Sequence, residues 1–130
     1  MKLIKVYRCL CDPTRLRILN LLRDGELCVC HIQEILGESQ VKVSKHLAYL
    51  RAHGMAEARR DANWMVYRLP AQPTGAVLAN LACLQDCARE IRAFGRDSAK
   101  LGRLKARFER DSPICCAPGS RTERQARRSA

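Results

Sequence analysis

Apolar residues recur at helical spacing through most of this chain, and one short stretch reads instead as two strands. Leu3, Ile4, Val6, Tyr7 and Leu10 mix with basic residues at intervals that suit a helix over 2–11. Asp12–Pro13 interrupts it. Asp12 is a natural N-cap, and Pro13 fits the first helical position, where a missing amide is harmless. The helix so opened holds the core stripe Leu16, Ile18, Leu19 and Leu22 and ends at Arg23–Asp24–Gly25. Arg15 and Arg17 are expected to be solvated or to face phosphates. Ile32, Ile35 and Leu36 predict a second helix, stopped by Gly37. A third helix opens at Ser39, whose hydroxyl can cap its first turn, and closes at Gly54, which tolerates a left-handed backbone. Val43, Leu47 and Leu50 form its apolar side, flanked by Val41 and Ala48. Two short helices joined by a tight glycine-containing turn make a helix-turn-helix.

After Gly54 the period changes. Residues 55–60 and 64–69 read as two strands joined by a three-residue loop, Asp61–Ala62–Asn63. Trp64, Val66 and Arg68 share one face of the second strand, and Met65, Tyr67 and Leu69 share the other. Pro70 and Pro73 break the chain. A long helix then runs from Thr74 to about residue 94, and on towards 110 if it survives Gly95 and Gly102. Each glycine lowers helix propensity by roughly 1 kcal/mol, so a break is expected there. Val77, Leu81, Leu84, Ala88 and Ile91 alternate spacings of four and three, a seam of the kind that pairs with a second copy of the chain. The chemistry-bearing side of the Ser39 helix carries Gln40, Lys42, Ser44, Lys45 and His46 near its front and Arg51 further back. These short or forked donors stand where a helix tip enters a DNA major groove. Arg59, Arg60 and Arg68 on the hairpin suit a wing lying along a phosphate backbone.

Charge strengthens that picture. The chain of 130 residues carries a formal net charge of +11, spread over its whole length, which favours a polyanionic partner. No apolar run approaches the roughly 20 residues that span a bilayer, and no signal peptide is evident, so no membrane partner and a cytoplasmic location are expected. Eight cysteines then stand out. In a reducing compartment a disulfide framework is not expected. They fall into four close pairs: Cys9 and Cys11, Cys28 and Cys30, Cys83 and Cys87, Cys115 and Cys116. Such clusters point to soft-metal binding or redox sensing. An enzyme is disfavoured, since there is no glycine-rich phosphate cradle and no C-x-x-C in a βαβ setting.

Four segments together carry a family resemblance: DPTRLRIL (12–19), ELCVC (26–30), SQVKVSKHLAYLRAHG (39–54) and NWMVYRL (63–69). In these the chain resembles the arsenical-resistance repressor family, ArsR/SmtB, over roughly residues 3–95. The resemblance implies a mainly α fold with a small β-hairpin wing, a winged helix-turn-helix, and a homodimer formed through the terminal helices. It implies a repressor of a resistance operon that binds double-stranded operator DNA and releases it on taking up a metal or metalloid. By matching position the Ser39 helix is the recognition helix and the Arg59–Arg68 hairpin is the wing. Two departures stand out: Val41 where the family often has proline, and no glycine in the wing loop. The organisation expected is a DNA-binding domain over 1–95, a helical extension over 96–112, and a cysteine-containing basic tail over 113–130 without fixed structure.

The inducer depends on the thiols. Arsenic-responsive relatives often carry a third cysteine three residues after the second of ELCVC, and here that position is Gln33. On a regular helix Cys28 and Cys30 would point about 200° apart and could not share an ion. We therefore expect Cys28 at the end of a short strand and Cys30 at a helix N-terminus, where the dipole favours thiolate. As(III) or Sb(III) is the expected inducer, with no catalytic cofactor. As(III) prefers three sulfurs, so the third ligand would be Cys9 or Cys11, or solvent. If both cysteines joined, a four-sulfur site would suit Cd(II), Pb(II) or Zn(II). Cys83 and Cys87 share a face of the long helix. With Cys115 and Cys116 they could form a second thiol site, and a plain core stripe continued by Phe94 and Leu101 is the alternative. The zinc site that some relatives build on the last long helix is not expected, because this helix has no histidine. His31, His46 and His53 are expected at the surface or facing DNA. A thiol-redox sensor on the same fold is the remaining alternative.

Overall fold

The structure, a computed structural model, describes residues 2–87 and 90–111. Ala88, Cys115, Cys116 and the segment 113–130 lie outside the described residues. Helix α1 spans Lys2–Leu10 and α2 spans Pro13–Leu22. Asp12 caps α2 as its sequence demands: its Oδ1 accepts from the amides of Thr14 at 2.8 Å and Arg15 at 3.1 Å. A two-residue strand, β1 (Leu27–Cys28), leads straight into α3 (Val29–Leu36). Gly37 ends α3 at φ 69°, the left-handed position that a side chain would strain. Helix α4 (Gln40–Ala52) starts on the Ser39 hydroxyl, which accepts from the Lys42 amide at 3.3 Å.

The hairpin is β2 (Glu57–Asp61) and β3 (Trp64–Arg68). Asp61 pairs with Trp64, so the loop is the two residues Ala62–Asn63 and not three. Ala62 takes φ 56° where glycine would sit at lower cost. Strand β1 adds to the other edge of β3, giving an antiparallel sheet in the order β1-β3-β2 with Leu27 opposite Tyr67 and Cys28 opposite Val66. The core lies between α2, α3, α4 and α6. Ile18, Leu19, Ile32, Val43, Leu47 and Leu50 are fully buried in it.

The C-terminal half departs from the expected helix bounds. Helix α5 (Gly75–Cys87) ends before α6 (Arg92–Asp111) begins, so α6 runs unbroken through Gly95 and Gly102. Tertiary contacts outweigh the propensity cost. Phe94, Leu101 and Leu104 are buried, and Asp97 receives Arg17 Nε at 2.8 Å and Nη2 at 2.9 Å. Arg17 is thus tied to Asp97 within the protomer and is only partly solvated. Arg15 is likewise engaged: its guanidinium donates to the carbonyls of Cys9 and Arg8 and lies 4.3 Å over the Tyr49 ring.

Part of the seam expected to join two copies contributes to the protomer's own core. Val77 and Leu84 are buried in the protomer's own core, and Leu81 and Ile91 pack partly against it. The large apolar side chains left outward on the paired helices α1 and α5 are Leu3, Ile4, Tyr7 and Leu78. Among the described residues no helix is long and apolar enough to cross a membrane.

Candidate DNA-reading face and thiol site

The helix-turn-helix is α3–Gly37–α4, and burial of Val43, Leu47 and Leu50 fixes which side of α4 looks out. Ser39, Gln40, Lys42, Lys45 and Arg51 are exposed, while Ser44 and His46 are half-buried. Lys42 lies 3.6 Å from Glu38, a loose surface pair that leaves the ammonium accessible. The wing is different. Arg59 donates to both carboxylate oxygens of Glu26, at 2.6 and 3.1 Å, and Arg68 lies 3.0 Å from Glu57. The guanidinium of Arg59 holds Glu26 below the usual carboxylate range. Arg60 is exposed and makes no ion pair among the described residues.

The thiol pair sits where sheet meets helix. Cys28 is extended (φ −84°, ψ 161°) and ends β1, and Cys30 lies in the first turn of α3. This break in period is what brings the two side chains together. A third donor joins them. His31 follows Cys30 on the same turn, and the ligand atoms of Cys28, Cys30 and His31 all lie within 4.8 Å of one another. Contrary to expectation, His31 is not at the surface: it is 2 % exposed. Burial depresses its pKa to about 4, leaving a neutral imidazole at physiological pH, with Glu34 opposing the shift and Arg107 adding to it. The signal was in the sequence, since 31 joins 32, 35 and 36 on the apolar stripe of α3.

Cys9 and Cys11 do not join this cluster within the protomer. Cys9 is fully buried in the core, which pushes its thiol pKa up although Arg15 opposes the shift, and Cys11 is exposed. Cys83 is exposed on α5 and not part of a core stripe, whereas Phe94 and Leu101 are buried on α6. The Cys83 thiol raises the pKa of its neighbour Cys87. Cys9, Cys11, Cys30, Cys83 and Cys87 carry no disulfide, while Cys28 is disulfide-bonded, so ligation through Cys28 requires its reduction first.

The thiol site touches both reading elements. Cys28 faces Val66 of the wing strand across the β1–β3 ladder, and the two form a small buried cluster with Cys30 and Trp64 against it. Cys30 also lines a cleft of about 410 Å³ shared with Gln40 and Ser44 of α4 and with Trp64 and Tyr67 of β3. Cys28 and Cys30 thus lie beside β3 and beside the cleft that α4 borders.

Known proteins share this fold. Residues 12–58 match the family pattern described as "Bacterial regulatory protein, arsR family". The arsenic resistance transcriptional regulator ArsR1 of Pseudomonas putida is 39% identical over 113 residues, spanning 86% of this chain and 85% of that protein. Among solved structures, HlyU from Vibrio cholerae aligns with a TM-score of 0.59 at 32% identity, over 65% of this chain and 89% of that one. The homodimeric winged helix-turn-helix DNA-binding domain of a possible ArsR-family regulator from Mycobacterium bovis aligns at 0.58 and 31% identity, over 68% of this chain and 80% of that one. With a helix-turn-helix, a three-stranded wing sheet and relatives this similar over most of its length, the chain belongs to the ArsR family of winged helix-turn-helix transcriptional regulators.

Proposed function

We propose that this chain is the dimeric repressor of a resistance operon, released from operator DNA when As(III) or Sb(III) binds the thiolates of Cys28 and Cys30. The observation that carries this reading is the position of the pair. Cys28 is in register with the wing strand, and Cys30 lines a cleft with Gln40 and Ser44. Its similarity to arsenic resistance regulators supports the choice of inducer.

In the DNA-bound state Gln40 and Ser44 contact base edges, and Ser39, Lys42, Lys45, His46 and Arg51 hold the flanking phosphates together with Arg60 of the wing. Arg59 and Arg68 reach phosphate only by leaving Glu26 and Glu57. Two copies meet through the outward apolar residues of α1 and α5, which sets the recognition helices about one DNA turn apart. Capture of As(III) by two thiolates, with a further thiolate or solvent as third ligand, draws Cys28 and Cys30 together. That shifts the start of α3 against α4 and β3, and the half-sites no longer match both helices. Coupling of about 1–3 kcal/mol reduces operator affinity several-fold to about a hundred-fold.

The test is operator release followed by fluorescence anisotropy on the fully reduced chain, using a duplex selected by the protein from a random library. Arsenite should release the wild type and the Cys115→Ser/Cys116→Ser protein but not Cys28→Ser/Cys30→Ser. If the Cys28→Ser/Cys30→Ser protein still responds, sensing belongs to other thiols. If peroxide and not arsenite releases the wild type, the chain is a redox sensor.

A further inference from the structure

The recognition helix and the wing use only part of this chain's positive charge, and a dense share of the rest lies on α6. Between residues 92 and 107 that helix holds six Lys/Arg and a single acid, Asp97, which is buried and engaged by Arg17. At about 100° per residue, Arg92, Arg96, Lys100, Arg103 and Arg107 fall within an arc of about 80°, and Phe94 and Leu101 point the opposite way into the core. All five arc cations are exposed. Lys105 is exposed too but stands off the arc. We infer that this basic stripe of α6 is a second DNA surface, which holds the phosphate backbone beside the half-site approached by α4 and does so without reading sequence. The inference rests on DNA binding by the α3–α4 motif but not on any choice of operator or inducer.

Contacts along α6 set the stripe beside the reading helix. Lys100 Nζ donates to the carbonyl of Ile35 at 3.3 Å, two residues before the Gly37 turn. Arg107 lies 3.1 Å from Glu34 on the same helix, α3. One turn before Lys100, Asp97 takes Arg17, whose pKa is raised by Asp97 and also by Glu38, the residue that leads into the Ser39 cap of α4. Glu38 in turn lies 3.6 Å from Lys42. The stripe and the front of α4 therefore flank one turn of the chain. Helix α6 packs on α2 and α3, whereas the outward apolar residues read as joining two copies lie on α1 and α5, so a dimer leaves the stripe open. The chemistry selects the partner. Arg92 to Arg107 spans about 22 Å at 1.5 Å per residue, a length over which duplex DNA presents about thirteen charges. Forked guanidinium groups in a row suit a row of phosphates better than one small anion, which needs donors that converge. A helix lying on a membrane needs an outward apolar face, and the apolar face of α6 is already buried in the core.

The experiment measures binding of the full, reduced chain to duplex DNA by fluorescence anisotropy across a series of salt concentrations. The variants remove Arg92, Arg96 and Arg103, which make no ion pair among the described residues, and spare Lys100 and Arg107, which hold α3. Arg92→Ala/Arg96→Ala/Arg103→Ala should lower the slope of log affinity against log salt by about three per chain, since each phosphate contact contributes about 0.9. The loss should be equal on a selected and a scrambled duplex, because phosphate contacts carry no sequence. It should be larger on a duplex extended by about ten base pairs on each side than on one trimmed to the half-sites. Arg92→Lys/Arg96→Lys/Arg103→Lys keeps the charge and should keep the slope, and so should Lys105→Ala, which lies off the stripe. A wild-type slope in the triple-alanine protein overturns the inference, and so does a triple-lysine protein that loses as much as the triple-alanine one. A wild type that prefers the selected duplex, with no change of slope in the triple-alanine protein, overturns this inference alone. A wild type that binds selected and scrambled duplexes equally, with the slope still lowered in the triple-alanine protein, overturns the operator reading alone.

Discussion

Removing the carboxylate of Asp97 should destabilise the whole domain, because it unpairs a charge at the joint between α2 and α6. Asp97 is 1 % exposed, and both its oxygens are taken by Arg17. Breaking a fully buried pair costs about 3–5 kcal/mol. The Arg17 side chain keeps 24 % of its surface in water, so part of the lost interaction is regained from solvent and we expect about 2–3 kcal/mol for Asp97→Ala. Asp97→Asn keeps the shape and one acceptor and should lose about half of that. Arg17→Met/Asp97→Leu removes both charges and should lie within about 1 kcal/mol of the wild type. Urea unfolding at one fixed protein concentration measures all of these, with an unchanged slope showing that the midpoint shift reports stability. Amide exchange of α6 should rise first in Asp97→Ala. The reasoning is refuted if Asp97→Ala unfolds at the wild-type midpoint, or if the double variant is as unstable as the single one.

Three further outcomes follow from the same structure. Burial of His31 makes stability depend on pH: its pKa is about 4 when folded against roughly 6.5 unfolded, so the unfolded chain binds more protons between those values. Stability of the metal-free protein should be complete above about pH 6.5 and fall by up to about 3 kcal/mol as pH drops towards 4; a flat urea midpoint over that window contradicts it. Ala62→Gly should stabilise the wing by about 0.5–1 kcal/mol, because Ala62 occupies the left-handed region at φ 56°, and a lowered unfolding midpoint would count against that reading. Arg60→Ala should weaken operator binding and reduce its salt slope by about one ion, whereas Arg59→Ala should change the slope by less, because Glu26 already neutralises Arg59; equal slopes for the two variants would refute the distinction.

Local chemistry made much of this fold legible in the sequence. Asp12 and Ser39 cap the helices they precede, and Gly37 and Gly54 take left-handed turns. The strand-to-helix switch at Cys28–Cys30 followed from the geometry of ligation. What escaped was decided at long range. A two-residue strand has no period, so the pairing of β1 with β3 left no mark in residues 27–28. The Gly95 and Gly102 penalties were visible, but the buried Phe94, Leu101 and Asp97 that outweigh them depend on α2 and α3. His31 looked polar and therefore exposed. Its burial depends on its place in the α3 stripe, and α3 packs against α6, about seventy residues away in sequence.

The wing arginines carry a last consequence. Because Arg59 is already clasped by Glu26, and Arg68 by Glu57, a phosphate approaching the wing meets positive groups that are spoken for. On the proposed reading DNA must displace a carboxylate to gain either one, so wing binding is an exchange of anions and its yield is the difference between two similar contacts. Each exchange also sets a carboxylate loose, and Glu26 stands two residues before Cys28. On the proposed reading, engagement of the backbone by the wing frees a carboxylate two residues before the thiol pair, so a metalloid meets a different charge there on DNA than off it.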